Sequence, residues 1–343
     1  MGKFQGADGI RGLACLAVIV AHAFGAFFYE YGLVLGGSGK IGVWLFFVLS
    51  AFLLTAKFSK TGFSVGVMGR YVLGRSIRII PLYAIAVLVY HFAGMLGLDS
   101  RSDVLEALFF QKGFGHLWTI PVEFKFYALL PFMAYALIYI DKRLGPTATL
   151  AATIAAVLAE QLIWPYWLTP ENGINTRWYI SCFTIGCYSA LAYPYIRDRV
   201  TPMAASLIGI AVIAIIIMMF PVPRNIAFGM PIDSWLKDKF VYLSILWACF
   251  ILVLVDGKGP LGFIMKMNIM KLIGSWSFSI YLIHMLLYVW LANAHPNSPF
   301  WMALGVLSAI GAGAAMFYLI EGPIEKFRHQ LQARLGEIKP IAA

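Results

Sequence analysis

Long apolar stretches separated by short polar loops run along nearly the whole chain. Ten of these stretches approach the length of about 20 residues at which an α-helix spans a bilayer. They are residues 10–28, 41–56, 79–98, 117–140, 147–164, 178–193, 204–220, 240–255, 269–291 and 300–320. The pattern predicts an all-α, polytopic membrane helix bundle of about ten transmembrane helices.

The loops between these stretches are too short to hold a water-soluble domain, and no internal repeat or low-complexity tract is visible. We therefore expect residues 1–343 to form a single integral membrane domain, with residues 329–343 as a short C-terminal tail. The first stretch has some features of a secretory signal peptide, because Lys3 precedes an apolar run. Asp8 and Arg11 interrupt the charge pattern of such a peptide, so we expect a retained helix.

The composition excludes a soluble protein. Hydrophobic residues make up 61% of the chain and charged residues 12%, whereas soluble domains average about 25% charged residues. An even number of spans places both termini on one side of the membrane, and the segments on that side carry 18 Lys and Arg against 7 on the other. Because positive charge accumulates on the cytoplasmic side, we expect both termini to be cytoplasmic. The net charge of +10 is explained by this topology, and we do not expect nucleic-acid binding.

His22 is the first candidate for chemistry, because an ionisable group at membrane depth usually faces a cavity or a partner. It follows Arg11 by 11 residues, about three helical turns, so both side chains project from the same helix face about 16 Å apart. Histidine titrates near neutrality, as a general base for a hydroxyl nucleophile requires. The alternative is a buried histidine that only hydrogen-bonds to a neighbouring helix.

Two more histidines, His91 and His284, are predicted to lie at a depth similar to that of His22. Three histidines at one level suggest a metal site or a proton relay, but they belong to separate helices without a diagnostic spacing. The four cysteines also lie inside apolar stretches and lack metal-ligand spacing. We expect neither a metal site nor a disulfide framework.

The segment 116–127, which begins with His116 and Trp118 and ends with Tyr127, opens the fourth apolar stretch. Pro121 suits the first turn of a helix, which puts Glu123 near a helix N-terminus, where a carboxylate is favoured. We expect Glu123 to be ionised and able to orient a histidine. A salt bridge with Lys125 is the less favoured alternative, because residues two apart on a helix do not face each other.

A cluster of cations precedes the third stretch, and we place it in a loop. Arg75 and Arg78 are three residues apart and would share a helix face at the cytoplasmic mouth, with Arg70, Lys57 and Lys60 nearby. Guanidinium groups bind phosphate oxygens in pairs, so a phosphate-rich cytosolic cofactor is one interpretation. The charge bias of cytoplasmic loops alone is the other.

With these residues in place, the sequence resembles acyltransferase family 3, membrane proteins that acylate glycans and other hydroxyl-bearing acceptors. Six segments carry the resemblance in the family's order: residues 8–13 followed by His22, then 46–54, 75–81, 116–127, 275–284 and 321–323. The segment 116–127 is similar to the family's Trp-(Ser/Thr)-x-x-Val-Glu-x-x-Phe-Tyr pattern. Ala51 stands where the family usually has glycine, and Lys125 replaces a more usual neutral or polar residue.

The resemblance implies an O-acyltransferase of the bacterial inner membrane that takes an acyl group, acetyl by default, from cytosolic acyl-CoA without a metal. It assigns roles to particular side chains as follows. His22 and Glu123 are the catalytic candidates, Arg11, Arg75 and Arg78 the donor-binding candidates, and His116, Trp118 and Tyr127 the acceptor-binding candidates. A further departure from the family is that we expect no hydrolase-like domain fused at the C-terminus, and hence no second, hydrolase-type transfer step. We also expect direct transfer rather than an acyl-enzyme.

The sequence leaves several points open. A transporter or flippase of a lipid-linked sugar or small metabolite would also use intramembrane histidines, although such proteins often show repeated halves that are not seen here. The acceptor is a hydroxyl-bearing glycan or small molecule whose identity is not encoded in any motif. The acyl length, acetyl or succinyl, and the oligomeric state are open as well.

Overall fold

Residues 4–337 are described by a computed structural model of the chain, and they fold into α-helices joined by short turns, without a β-strand in this range. The end of the predicted tail, residues 338–343, lies outside the described residues. The helices are α1 (Ala7–Phe27), α2 (Ile41–Thr61), α3 (Val65–Phe92), α4 (Arg101–Leu108), α5 (Thr119–Ile163), α6 (Ile180–Ile196), α7 (Pro202–Met218), α8 (Pro221–Phe228), α9 (Phe240–Leu254), α10 (Gly259–Lys266), α11 (Asn268–Ala294), α12 (Pro299–Met316) and α13 (Gly322–Glu337). The all-α prediction is confirmed.

Within the described residues, six helical segments are long and apolar enough to cross a membrane. They are Ala7–Phe27, Ser38–Thr61, Val65–Phe92, Gly115–Leu168, Asn268–Ala294 and Pro299–Ala333. Two bent pairs raise the number to eight, if each pair is one span: α7 with α8, bent by 85°, and α9 with α10, bent by 89°. The chain is thus an all-helical, multi-pass membrane protein, but the predicted count of about ten spans is not confirmed.

The predicted number of spans differs from the number of long helical segments because some helices begin, end or continue at residues other than those predicted. The apolar stretches themselves are the same. The predicted fourth and fifth spans are two halves of α5, which is kinked at Gly145, where the backbone takes a φ of +83°. Glycine adopts this left-handed conformation without a side-chain clash, and Pro146 follows it. Helix α6, with 17 residues, is shorter than the segments long enough to cross alone.

Helix α3 corrects the sequence interpretation in one respect. It begins at Val65, well before the predicted start at residue 79, and includes Pro81. The cations Arg70, Arg75 and Arg78 therefore lie on a helix and not in a loop. Because these three arginines lie on one helix, the number of residues between them determines which of them face the interior of the bundle.

Helix α2 occupies the centre of the bundle. Buried residues make up 78% of its most apolar window, against 17% for the segment that contains α5. A helix that is apolar all round lies either in a protein core or in lipid, and the burial of α2 shows that other helices surround it. The interior cavities described below are lined in part by α2.

Helices α1 and α11 run side by side in the same direction and in register. A Cβ atom at Gly12 would lie 2.4 Å from the backbone oxygen of Met270, and one at Gly274 would lie 1.7 Å from that of Asp8, so only glycine permits this approach. The contact between Cys15 Sγ and the Ser277 carbonyl, 4.0 Å, joins residues 262 apart in sequence. Residues with this offset remain neighbours along both helices.

The last two motif segments meet where α12 gives way to a π-helical turn, Phe317–Glu321. Glu321 is 3% exposed and accepts a hydrogen bond from Ser279 Oγ on α11 at 2.5 Å. π-Helical turns are rare and often occur at functional sites. This contact anchors the end of α12 to the segment of α11 that carries Tyr281 and His284.

Candidate active site

A cleft of about 680 Å³ opens between α1, α2, α3, α5 and α11, and we call it the arginine cleft. Its polar lining residues include Arg11, Arg75, Arg78, Ser50, Glu123 and Tyr127. The three arginines come from two helices, so the tertiary fold concentrates positive charge that the sequence distributes. Both Arg75 and Arg78 face this cleft, which confirms that they share a helix face.

The arginines differ in their partners. Arg11 Nη1 donates to Asp8 Oδ1 at 2.9 Å within α1. The Arg75 guanidinium lies 5.6 Å from the centre of the Tyr127 ring, a cation–π distance. In the part of the chain that the structure describes, no carboxylate lies within 4.0 Å of Arg75 or Arg78. Both guanidinium groups therefore retain donors for an anionic ligand.

Glu123 lies in the arginine cleft, at a distance from the histidines that the sequence suggested it would orient. It accepts a hydrogen bond from Ser50 Oγ on α2 at 2.9 Å and another from Tyr127 OH one turn along α5. Lys125 is directed elsewhere and donates to the Ile174 carbonyl at 3.4 Å. Neither the predicted histidine contact nor the alternative salt bridge is formed. The carboxylate instead fixes two hydroxyl groups on the cleft wall.

Three histidines, His22, His116 and His284, meet beyond this cleft, and we call them the histidine cluster. The ring centres of His22 and His284 are 5.1 Å apart, and the ring planes are parallel to within 4°. His116 lies with its ring centre 4.7 Å from that of His284 and 6.4 Å from that of His22. The third expected histidine, His91, is not part of this group, because its Nδ1 contacts the Leu98 carbonyl at 2.6 Å.

The histidine cluster lines a second cavity of about 930 Å³, which we call the histidine chamber. Its other lining residues include Gly39, Lys40, Trp118 and Tyr281. The Lys40 ammonium lies 5.2 Å from the centre of the Trp118 ring. Arg11 lines the arginine cleft and His22 the histidine chamber, as their 11-residue spacing on one helix face predicts.

His116 has no hydrogen-bond partner on either ring nitrogen among the described residues, although the residue is only 7% exposed. A buried polar group without a partner costs about 1–3 kcal/mol. Such a cost is expected where a ligand completes the hydrogen bonds. His116 is therefore a candidate for direct contact with a bound molecule in the histidine chamber.

Tyr281 lies between the two cavities and lines both, as does Val43. Its hydroxyl donates to the backbone carbonyl of His116 and accepts a hydrogen bond from Thr119 Oγ1 at 2.8 Å. These bonds hold the ring across the boundary between the cavities. Sequence reasoning singled out neither Tyr281 nor Thr119, although both lie inside segments of family resemblance.

The outer rim of the histidine chamber includes Ser234 and Lys237 from the segment after α8. Asp233 in this segment accepts a hydrogen bond from Arg224 Nη2 at 2.5 Å and one from the Trp235 backbone at 2.9 Å. The Arg224 contact holds the pKa of the Asp233 carboxyl below its ordinary value. The stabilisation is thus complete at neutral pH and is lost as the pH falls through that lowered pKa.

In residues 4–337, no group of three or more His, Cys, Asp or Glu side chains is arranged to hold a metal ion. The four cysteines are free, and Cys15, Cys182 and Cys187 are buried. The three predicted donor-binding residues, Arg11, Arg75 and Arg78, all line the arginine cleft. The three predicted acceptor-binding residues do not share one cavity. His116 and Trp118 line the histidine chamber, and Tyr127 lines the arginine cleft.

Sequence comparisons find O-acetyltransferases among the known proteins that are similar to this chain. O-acetyltransferase OatA of Staphylococcus aureus strain NCTC 8325 is 23% identical over 315 residues, which cover 81% of this chain and 49% of that protein. OatA of strain MRSA252 gives the same identity and coverage. The chain thus spans about half the length of the curated relatives it matches. No solved structure matches the chain significantly.

A family model described as an acyltransferase domain matches residues 4–320. This range includes five of the six motif segments, both cavities and the histidine cluster, and the sixth segment, residues 321–323, follows it directly. Because the match covers nearly the whole chain, the protein belongs to acyltransferase family 3.

Proposed function

We propose that the protein transfers an acyl group, most simply acetyl, from cytosolic acyl-CoA to a hydroxyl group of an extracytoplasmic or lipid-linked glycan. One observation carries this proposal. A cleft with three arginines and a chamber with three histidines lie in one interior and share Tyr281 and Val43 at their boundary. Such an interior provides a site for an anionic donor, a site for a proton transfer, and a short path between them.

The arginine cleft suits the donor. Coenzyme A carries phosphate groups, and Arg75 and Arg78 have guanidinium donors that are not engaged by carboxylates in the described residues. Arg11, on the opposite wall, adds a third cation and begins the helix that leads to His22. The flexible pantetheine arm would extend past Tyr281, which brings the thioester towards the histidine cluster.

The histidine chamber suits the acceptor. His116 offers unpaired ring nitrogens, and Trp118 offers an aromatic face for a sugar ring. His22 would remove the proton of the acceptor hydroxyl while the oxygen attacks the thioester carbon. The C–O bond forms, the C–S bond breaks, and the proton passes to the departing thiolate. Enclosure by helices excludes the water that would hydrolyse the donor.

Glu123 is proposed to act on the donor side. Its hydrogen bond with Tyr127 holds the ring over which the Arg75 guanidinium lies. Glu123 also holds Ser50 Oγ at the cleft wall. Through these two contacts, the carboxylate is a positioning residue for the thioester arm and for Arg75, while Tyr127 contributes to the donor site and not to the acceptor site.

The proposed orientation follows from this assignment. Acyl-CoA is cytosolic, so the arginine cleft opens to the cytoplasm and the histidine chamber opens to the opposite face. The excess of Lys and Arg on the side of the termini supports the same orientation, with both termini cytoplasmic. The bacterial inner membrane is the membrane in which both substrates meet.

The test is a transfer assay with the purified protein in proteoliposomes, [¹⁴C]acetyl-CoA outside and lipid-linked oligosaccharide or peptidoglycan fragments as acceptors. We expect radiolabel in an alkali-labile ester on the glycan, and none with the His22→Ala variant. A flippase would instead move the lipid-linked sugar across the bilayer without acetyl-CoA. Sugar movement with no ester in any acceptor would reject the proposed transfer.

A further inference from the structure

The contact between His22 and His284 shows which ring nitrogen of each histidine is protonated. His22 Nδ1 lies 2.8 Å from His284 Nε2, and His284 Nδ1 lies 2.8 Å from the backbone oxygen of Tyr281. His284 is fully buried. The ring planes are parallel to within 4°, and the 5.1 Å between the ring centres is about the longest separation that a 2.8 Å contact between these nitrogens permits. The shared hydrogen bond therefore lies close to both ring planes, where the lone pair of an imidazole nitrogen points.

The backbone oxygen of Tyr281 determines which nitrogen carries each proton. A carbonyl oxygen only accepts hydrogen bonds, so His284 Nδ1 must be the donor. In a neutral imidazole the other nitrogen is then an acceptor, so His284 Nε2 presents a lone pair to His22. His22 Nδ1 must therefore carry a proton, which leaves His22 Nε2 unprotonated.

The space around His22 Nε2 agrees with its use by a ligand. A Cβ atom on Gly39 would lie 3.1 Å from both Nε2 and Cδ2 of His22. Gly39 lines the histidine chamber and also a neighbouring cavity of about 810 Å³ that shares His22. The absence of a side chain at position 39 leaves the free nitrogen open towards both cavities.

We infer that His284 is a positioning residue that fixes the tautomer of His22, so that Nε2 of His22 is the atom that accepts the hydroxyl proton. The catalytic part of this inference rests on the proposed acyl transfer, whereas the tautomer does not. When His22 Nε2 takes the proton, Nδ1 keeps its own and continues to donate to His284 Nε2, a hydrogen bond that strengthens as the charge develops. The proton on Nε2 then passes to the thiolate that leaves the acyl carbon, and His22 returns to its starting tautomer.

The parallel register of α1 and α11 explains why this pair can form. His22 and His284 are 262 residues apart, the same offset as the Cys15–Ser277 contact nearer the arginine cleft. The close approach at Gly12 and Gly274, with this offset as well, sets the register. The backbone contact thus aligns the two imidazoles about three turns further along both helices.

The first test is solid-state ¹⁵N NMR of the histidine-labelled protein in lipid, with the His22 signals assigned by their loss in His22→Asn. We expect a protonated Nδ1 and an unprotonated Nε2 at His22 in the unaltered protein. In His284→Phe, which removes the acceptor, we expect a mixture of both tautomers. His91→Phe is the matched control, since His91 also contacts a backbone carbonyl but lies outside the cluster, and it should leave the His22 signals unchanged. A protonated Nε2 in the unaltered protein would overturn the inference.

The second test uses kinetics. His284→Phe should lower kcat by about 10- to 100-fold, part of the contribution of a well-placed base, with KM for acyl-CoA unchanged. His284→Gln, whose amide oxygen can accept from His22 Nδ1, should restore part of kcat. An unchanged kcat in His284→Phe would remove the positioning role, even if the tautomer is as expected. If the unaltered protein transfers no acyl group at all, the proposed function fails, while the NMR result still decides the tautomer.

Discussion

The arginine cleft and the histidine cluster differ in charge and in burial. The arginine cleft gathers cations that are half-buried, and Arg75 and Arg78 keep free donors in the described structure. In the histidine cluster, His116 and His284 are buried and His22 is half-buried, with His284 held between a ring nitrogen and a backbone carbonyl. The first arrangement suits binding of a charged ligand from water, and the second suits movement of a proton away from water. Variants in the two regions should therefore affect different kinetic constants.

The largest effect is expected for His22→Ala. Loss of a well-placed general base should lower kcat for acyl transfer by about 100- to 10,000-fold, while the affinity for acyl-CoA at the other cavity stays the same. The transfer assay and a calorimetric titration with CoA measure the two quantities on the same preparation. Normal transfer by a folded His22→Ala protein would contradict the catalytic assignment.

The complementary variant is Arg75→Ala with Arg78→Ala. Hydrogen bonds to charged groups contribute about 1.5–3 kcal/mol each, so loss of both should weaken CoA binding by about 100-fold or more. At saturating donor, kcat should change much less. Arg70→Ala is a matched control on the same helix, since Arg70 does not line the arginine cleft. Equal affinities in the double variant and the control would remove the phosphate role.

Tyr281→Phe tests the boundary between the regions. It removes the hydroxyl that holds the His116 carbonyl and accepts from Thr119. Each buried group left unpaired costs about 1–3 kcal/mol. We expect a loss of thermal stability and a decrease in kcat of about tenfold, because His116 loses its anchor. A variant with reduced stability but normal kcat would show that Tyr281 acts only in folding.

The smallest predicted effect concerns salt. Exposed charges are screened beyond about 10 Å at 0.1 M ionic strength, so CoA affinity should fall a few-fold as salt rises from low to about 0.5 M. The rate at saturating donor should stay nearly constant, because proton transfer at the neutral histidine cluster involves no charge exposed to water. Measurement of KM and kcat over a salt series separates the two. A parallel fall of both constants would contradict the division between the regions.

Local patterns predicted much of this molecule. The apolar stretches indicated helices, and each of the ten lies mainly on a helix in the described residues. The 11-residue spacing of Arg11 and His22 predicted that both project from one helix face, and the three-residue spacing of Arg75 and Arg78 predicted a shared face. In the structure, Arg11 and His22 each line a cavity, and Arg75 and Arg78 line the same one. Such predictions succeed because helix periodicity depends only on residues a few positions apart.

Other expectations failed where neighbours are distant in sequence. Glu123 was expected to be ionised near a helix N-terminus and able to orient a histidine, yet its hydroxyl partners lie a turn further along α5 and on α2. His91 was predicted to lie at a depth similar to that of His22, but depth does not determine on which side of the bundle a helix lies, and His91 contacts the Leu98 carbonyl instead. The predicted number of spans is not confirmed, since a kink such as that at Gly145 changes a helix boundary without changing the apolar pattern.

By itself, the sequence determined the membrane class, the helical segments, the family resemblance and which residues bear chemistry, since each depends on composition or local periodicity. Only the tertiary structure decided that His22 meets His284 and His116, that Glu123 belongs with the arginines, and that Tyr281 separates the two cavities. The reason is physical. Which helices adjoin, and in which register, depends on close backbone packing at residues such as Gly12 and Gly274, which are 262 positions apart.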